Sequence, residues 1–288
     1  MEMTLPVVSL AFVMCSGLAH SIWNLFAKKS DNKAVFLWAM YIPSTLLLLP
    51  VLLMELPGVP RQPGVYLSIA LSLALNSVYA LLLAQTYKRS DLSLAYPVMR
   101  GTPTLLVPVL GVVFLQESLP LLGWVGIACL VAGFIVMSGW LQRRGGAALE
   151  VKPFLLALSV GLCSTSYTLA DKLNLGYLSP VALLVVTNIG FILGLTPSAL
   201  ASGAILSGVV RQWKSFLIGA VLSPGSYLLF LFAMSQAQMA YIAPLREIGI
   251  VFGVLLGLFV LKEKHGMSRI AASAVVVAGI FLIAVSGN

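Results

Sequence analysis

Ten apolar runs follow one another through this 288-residue chain, separated mostly by short charged turns. They are Leu5–Ala27, Ala34–Met54, Val65–Tyr87, Leu92–Gln116, Leu119–Leu141, Pro153–Gly176, Ser179–Ala201, Ser215–Ala237, Gln238–Leu261 and Met267–Ser286. A run of about 20 residues at 1.5 Å rise crosses the hydrocarbon core of a bilayer as a helix. Only 9% of the residues are charged and 60% are hydrophobic, against roughly 25% charged in a water-soluble domain. There is too little charge to coat a globule in water. The spacing therefore predicts an all-α membrane protein of ten transmembrane helices.

The first run ends at Lys28-Lys29 and is preceded by Met-Glu rather than a basic segment. Its length and flanks predict a retained membrane span rather than a signal peptide. The net charge of +8 falls as short basic clusters between apolar runs, so no nucleic-acid partner is expected. Lys28, Lys29, Lys33, Lys88, Arg89, Arg143, Arg144, Lys152, Arg211, Lys214, Lys262, Lys264 and Arg269 all fall on one face, against Arg61 and Lys172 on the other. The positive-inside bias predicts cytoplasmic basic loops and both termini outside. Cys15, Cys129 and Cys163 lie in three different runs with no metal-ligand spacing, and read as packing residues.

The chain repeats itself. Arg100 and Arg246, Gly111 and Gly257, Glu117 and Glu263, and Gly133 and Gly279 are each 146 positions apart. Near the start of each half, Gly17 to Lys28 aligns with Gly161 to Lys172 at an offset of 144, which sets His20 against Ser164, Trp23 against Tyr167 and Asn24 against Thr168. The expected division is a first five-helix repeat over 1–141, a linker over 142–152 and a second five-helix repeat over 153–288. Five is odd, so the second repeat enters the membrane with the opposite orientation. Inverted repeats place a substrate site near the midplane between the halves.

The arginines make the case for a polar site. A guanidinium keeps its charge, and at mid-helix in a bilayer it costs at least ~2.5–3.5 kcal/mol. Arg100 and Arg246 both carry that cost at matched positions. Two such groups on one cavity suit a carboxylate or phosphoryl group, which a planar donor fork binds bidentately; internal neutralisation, with Glu247 as a partner, is the competing reading. His20, Trp23 and Asn24 share one helix face by their i, i+3, i+4 spacing, either lining the cavity or bonding across helices. Tyr96 lies one turn from Arg100 beside Pro97, which removes a backbone hydrogen bond. Tyr79 and Tyr227 match at an offset of 148, so each half offers a phenol, and Tyr167 matches Trp23. The candidate substrate-binding set is His20, Trp23, Asn24, Tyr79, Tyr96, Arg100, Tyr167, Tyr227, Arg246 and Glu247. Asp171 and Lys172 read as residues of the membrane interface, and Glu117 and Glu263 as helix-boundary residues. Gly253-x-x-x-Gly257 and Gly123-x-x-Gly126 have spacings that permit close helix approach.

The run Ala95-Tyr-Pro-Val-Met-Arg-Gly101, Gly111-Val-Val-Phe-Leu-Gln-Glu117 and Gly123-Trp-Val-Gly126 resembles the EamA domain of the drug/metabolite transporter superfamily. Ala243-Pro-Leu-Arg-Glu247 to Leu261-Lys-Glu263 resembles the same domain again, and His20-Ser-Ile-Trp-Asn24 is similar to a His-x-x-Trp-Asn pattern in some members. The resemblance covers nearly the whole chain. It implies a ten-helix permease of two pseudo-symmetric bundles, often an exporter of amino acids or other small metabolites. Some members are described with both termini cytoplasmic, the reverse of what the loop charges here predict.

No phosphate-cradling Gly-Lys-Ser/Thr loop, His-rich metal cluster or nucleophile–base–acid set is visible, so neither an enzyme nor a cofactor is expected. The sequence points to a multi-pass plasma-membrane secondary transporter, an efflux permease for a small polar metabolite such as an amino acid. It would work by alternating access, with a proton as a candidate coupling ion. An organic anion such as a phosphonate is the alternative substrate. An integral-membrane enzyme acting on lipid head groups, with His20, Asp171 and Glu247 as acid–base groups, and a non-transporting scaffold or sensor are the rival classes.

Overall fold

The computed structural model describes residues 5–30, 32–89, 92–137, 151–203, 205–259 and 267–287, and every regular element among them is helical. The first half runs α1 (Val7–Lys29), α2 (Lys33–Glu55), α3 (Pro63–Arg89), α4 (Leu92–Leu115) and α5 (Leu121–Met137). The second runs α6 (Val151–Asn174), α7 (Pro180–Leu200), α8 (Ile205–Arg211), α9 (Trp213–Gln236), α10 (Met239–Leu245), α11 (Ile248–Phe259) and α12 (Met267–Ser286). Eight segments are long and apolar enough to cross a membrane, α10 and α11 together forming one of them, and Leu121–Met137 and Ile270–Ser286 are shorter apolar helices. Ten crossings in two repeats result.

Three features depart from the sequence expectation. The loop between the seventh and eighth spans contains the short helix α8. The ninth span is not one helix: α10 stops at Leu245 and α11 starts at Ile248. Across that break Glu247 N–H donates to Pro244 O, Gly249 N–H to Arg246 O and Ile250 N–H to Glu247 O, a tighter i→i−3 pattern of the kind found at helix hinges. By contrast α4, carrying Pro97, Pro103 and Pro108, is continuous through Arg100. Positions 142–150 of the expected linker and Glu263 lie outside the described residues, as does the side chain of Arg269, whereas 151 and 152 already belong to α6.

The core is apolar, but so is the outer surface, and polar groups are found inside. Leu47, Met54, Leu67, Phe114, Leu121, Val221 and Phe281 are exposed on the helices, while Ser16, Ser72, Asn76, Thr165, Asp171, Asn174, Asn188 and Ser226 are buried. Lipid solvates the former at no cost, whereas the latter need partners inside the bundle.

The halves interleave. Across the repeats α1 packs on α9 and α3 on α6, α1 on α11 and α4 on α6, and α2 on α9 and α3 on α7; α2 meets α7 and α5 meets α12. Exchanging each helix for its repeat partner turns each of the first three pairs into its companion and leaves α2–α7 and α5–α12 unchanged, as a pseudo-two-fold axis requires. Glycine sets the closest approaches. A Cβ on Gly17 would sit 2.6 Å from Ile248 Cγ2, and one on Gly161 2.6 Å from Thr102 Cβ. Gly17 and Gly161 are repeat mates, and so are Ile248 and Thr102. Gly126 and Gly279 likewise join α5 to α12, each Cβ position lying within 2.7 Å of the other's carbonyl oxygen. Gly253 differs: nothing lies within 4 Å of its Cβ position, so its small-residue spacing is not used for close packing there.

Candidate functional site

One cavity gathers eight of the ten sequence-selected residues. His20, Trp23 and Asn24 from α1, Tyr79 from α3, Arg100 from α4, Tyr167 from α6, Tyr227 from α9 and Arg246 from the α10–α11 break all line it. It offers about 100 Å³ to the centres of water molecules, where one water needs roughly 10–15 Å³. That is room for a metabolite of amino-acid size. Glu247 is not on its wall, and the Tyr96 side chain lies outside the described residues.

Repeat mates meet here. His20 and Ser164 both line the cavity, as do Trp23 and Tyr167, Tyr79 and Tyr227, and Arg100 and Arg246. The backbone bonds match too: Asn24 Nδ2 donates to His20 O at 2.9 Å, and its mate Thr168 Oγ1 donates to Ser164 O at 2.8 Å. The rings pack in two groups. His20 stands edge-on to Trp23 with centroids 5.1 Å apart, and Tyr167 stands edge-on to Tyr79 at 5.2 Å and to Tyr227 at 6.3 Å.

The two arginines are not equivalent. Arg100 donates from Nε to Glu247 Oε2 at 3.1 Å, and its Nη2 approaches the same oxygen at 3.0 Å. Glu247 is one residue from Arg246 in sequence but serves the arginine of the other half, because consecutive helical side chains diverge. The repeat mate of Glu247 is Gly101, so Arg246 has no corresponding acid. Its guanidinium lies 4.4 Å from the centroid of Phe230 and 5.3 Å from that of Tyr227, and its Nη2 reaches Ser226 Oγ at 3.4 Å. Stacking on aromatic faces stabilises a desolvated guanidinium by about 2 kcal/mol, but it supplies no hydrogen-bond acceptor in the guanidinium plane. Among the described residues, Arg246 Nε and Trp23 Nε1 are buried donors without an acceptor.

Sequence reasoning placed Asp171 in the membrane interface. It is instead fully buried, its two oxygens accepting hydrogen bonds from Ser72 Oγ and Tyr227 Oη. The signal that marks it is a break in the repeat: its mate is Ala27. Lys172, its neighbour, turns to the end of α9 and donates to Met234 O and Ala237 O at 2.6 and 2.8 Å, capping carbonyls that a helix leaves unpaired.

The cavity lies toward one face. Most of its lining residues sit in the middle of their helices or toward the ends that lead to the basic loops, with Tyr167 and Arg246 beyond the middle on the other side. The opposite ends are tied together across the halves. Glu55 accepts from Ser179 N and Oγ at 2.9 and 2.6 Å, and Glu117 accepts from Met239 N and Ala240 N at 2.8 and 2.7 Å. Both carboxylates sit where helix N-termini present unpaired donors and a favourable dipole. Leu5 N–H donates to Gly287 O at 2.7 Å, joining the first and last spans.

No curated protein matches the chain. One solved structure, described only as a protein crystal structure, superposes with a TM-score of 0.75 at 16% identity over 95% of each chain, a likeness of fold. The model of the EamA-like transporter family matches twice, over residues 7–139 and 151–285. Two copies of that domain, interleaved around a polar cavity in the membrane, account for nearly the whole molecule, and the chain belongs to the EamA-like transporter family of the drug/metabolite transporter superfamily.

Proposed function

We propose that this multi-pass plasma-membrane transporter moves a small polar metabolite bearing a carboxylate or phosphoryl group, such as an amino acid. It does so by alternating access between its inverted halves. One observation carries the substrate class. Two buried donors belonging to cavity-lining residues, Arg246 Nε and Trp23 Nε1, have no acceptor, whereas Arg100 has Glu247. Leaving a buried donor unpaired costs about 1–3 kcal/mol, more when it is charged. An anionic ligand supplies the missing acceptors, and a guanidinium fork binds one bidentately.

The alternating-access reading is supported by the cavity's displacement toward the basic-loop face and the polar ties across the halves at the other. For access to alternate, those ties open and the cavity side closes. The enzyme reading loses support because its three groups are separately engaged: Glu247 by Arg100, Asp171 by Ser72 and Tyr227, and His20 by the Trp23 ring.

Transport of labelled amino acids, amines and phosphonates into and out of proteoliposomes tests this directly. Saturable movement of a carboxylate or phosphonate, absent for amines lacking an acidic group, is the expected result. Movement of such amines alone would overturn the substrate class. Preferred release from right-side-out vesicles would support export, the direction that the family resemblance implies.

A further inference from the structure

Asp171 is an acid that neither the repeat nor the anion site requires. The packing glycines Gly17 and Gly161 recur in both halves, but the mate of Asp171 is Ala27. It is wholly buried in a membrane span, and its contacts are the neutral hydroxyls of Ser72 and Tyr227. A carboxylate removed from water without a cation beside it is strongly disfavoured unless it binds a proton or an ion.

Among the described residues no lysine or arginine is shown paired with it. Tyr227 comes from α9 and Tyr167 from its own helix. Tyr79 of α3 and Arg100 of α4 line the cavity, where Arg100 meets Glu247. Arg246 lies behind the Tyr227 ring, and Lys172 is turned to the α9 carbonyls. One turn from Ser72 on α3 and one turn from Asp171 on α6, Asn76 and Asn174 are held by their amide nitrogens, which donate to Ser72 O at 2.9 Å and Ser68 O at 3.1 Å. Among the described residues their buried Oδ1 atoms have no partner. Unpaired acceptors on the two helices that hold a buried acid suit a water or a migrating proton.

Tyr227 joins this acid to the cavity. Its hydroxyl donates to Asp171 Oδ2 while its ring lies under the Arg246 guanidinium and forms part of the cavity wall. We infer that Asp171 is a proton-binding site coupled through Tyr227 to the anion site at Arg246, so that one proton and one anionic substrate are bound together. This rests on the anion-transport reading above.

The coupling follows from a single hydrogen with two acceptors. With Asp171 ionised, the Tyr227 O–H is committed to Oδ2. When Asp171 takes a proton from hydronium in the solvent, one O–H bond forms on Oδ2, one breaks in the hydronium to leave water, and none breaks in the protein. Oδ2–H then donates to Tyr227 Oη, and the phenol hydrogen is free to turn into the cavity and donate to an anion. Removing the carboxylate charge also removes its repulsion of the incoming anion. Both effects make binding cooperative, and linkage makes the cooperation reciprocal.

Calorimetric titration of the purified protein with acetate, L-alanine and methylphosphonate, repeated in two buffers of different ionisation enthalpy, reads affinity and proton uptake together. The expected result is uptake approaching one proton per anion, with affinity rising up to about tenfold per pH unit lowered. Asp171→Asn, a neutral side chain that still accepts and donates, should bind the anion with no proton uptake and a flat pH profile. Tyr227→Phe keeps the acid and its charge but lacks the shared hydrogen, so its uptake should fall clearly below that of the unaltered protein without vanishing; it carries the test if Asp171→Asn does not fold. Anion binding by the unaltered protein without proton uptake, with proton release, or with uptake that persists in Asp171→Asn would overturn the coupling and leave the anion reading standing. No binding of any of the three anions at any pH would overturn the anion reading, and this inference with it.

Discussion

The Arg100 guanidinium meets the Glu247 carboxylate at 3.0 Å across the two halves of the molecule, whereas the repeat-equivalent pair would be Arg246 and Gly101, where no carboxylate exists. The pseudo-symmetry thus presents one arginine neutralised and one stacked on aromatic rings. The same residue in matched positions has two different surroundings.

Glu247→Gln should therefore act mainly on stability. It removes the carboxylate that meets a largely buried guanidinium, and removing one partner of such a pair costs about 3–5 kcal/mol. A lowered unfolding temperature in detergent is expected, with recovery when Arg100→Met is added. Undiminished stability of the single variant would mean that the ion pair does not hold α4 to the hinge between α10 and α11.

Arg246→Lys should act mainly on binding. The ammonium keeps the charge and can still stack on Phe230 and Tyr227, but it cannot offer the planar fork. Folded yield close to that of the unaltered protein, with anion affinity lowered at least about tenfold, is expected; tenfold corresponds to 1.4 kcal/mol. Unchanged affinity with lowered stability would make Arg246 a packing residue.

Much of this organisation was legible in the chain. Apolar run length fixes the crossings because a bilayer allows backbone to cross only when its hydrogen bonds close internally. The matched offsets identified the repeat, and eight selected residues reach one cavity because polar residues on apolar helices have few other places to go. The break at Arg246-Glu247 was hidden, since apolar periodicity continues through it and Pro244 has counterparts in the unbroken α4. Asp171 was misplaced because distance from a span's end does not reveal whether neighbouring helices enclose it. Its burial depends on Ser72 and Tyr227, which are 99 and 56 residues away.

The glycines give a prediction in which one residue type behaves in two ways. Gly126→Ala would place a methyl 2.7 Å from Gly279 O, a backbone atom that cannot rotate aside, so α5 and α12 must separate. Overpacking of this kind costs about 1–3 kcal/mol. Gly253→Ala meets nothing within 4 Å and gains about 0.5–1 kcal/mol of helix propensity. Thermal unfolding of the two variants should move in opposite directions. Movement in the same direction would mean that the α5–α12 contact is looser than its geometry indicates.

Topology is open to a separate check. The basic loops predict that a reporter fused after Asn288 reads outside and one inserted in 142–152 reads cytoplasmic. The opposite result would reverse the face on which the cavity lies without altering the helix packing.

The last prediction concerns the wall of the cavity itself. Trp23 and Tyr167 are repeat mates on α1 and α6, and both line the space beside the arginines. Cysteine at either position, in a background without Cys15, Cys129 and Cys163, should react with small water-soluble thiol reagents even though each side chain is less than a tenth exposed. Replacement of the ring leaves a gap continuous with the cavity, so reagent and water reach the sulfur. The reagent should enter from the face that carries the basic loops, because the other end is closed by Glu55 on α7 and Glu117 on α10. Carboxylate or phosphonate ligands should slow labelling at both positions, since one occupant touches both halves. Glu117→Gln, which weakens the tie at the closed end, should raise labelling from the opposite face. Protection at one cysteine only would mean that the ligand lies against a single repeat, and no labelling at either would mean that these faces are packed and that water does not enter between them.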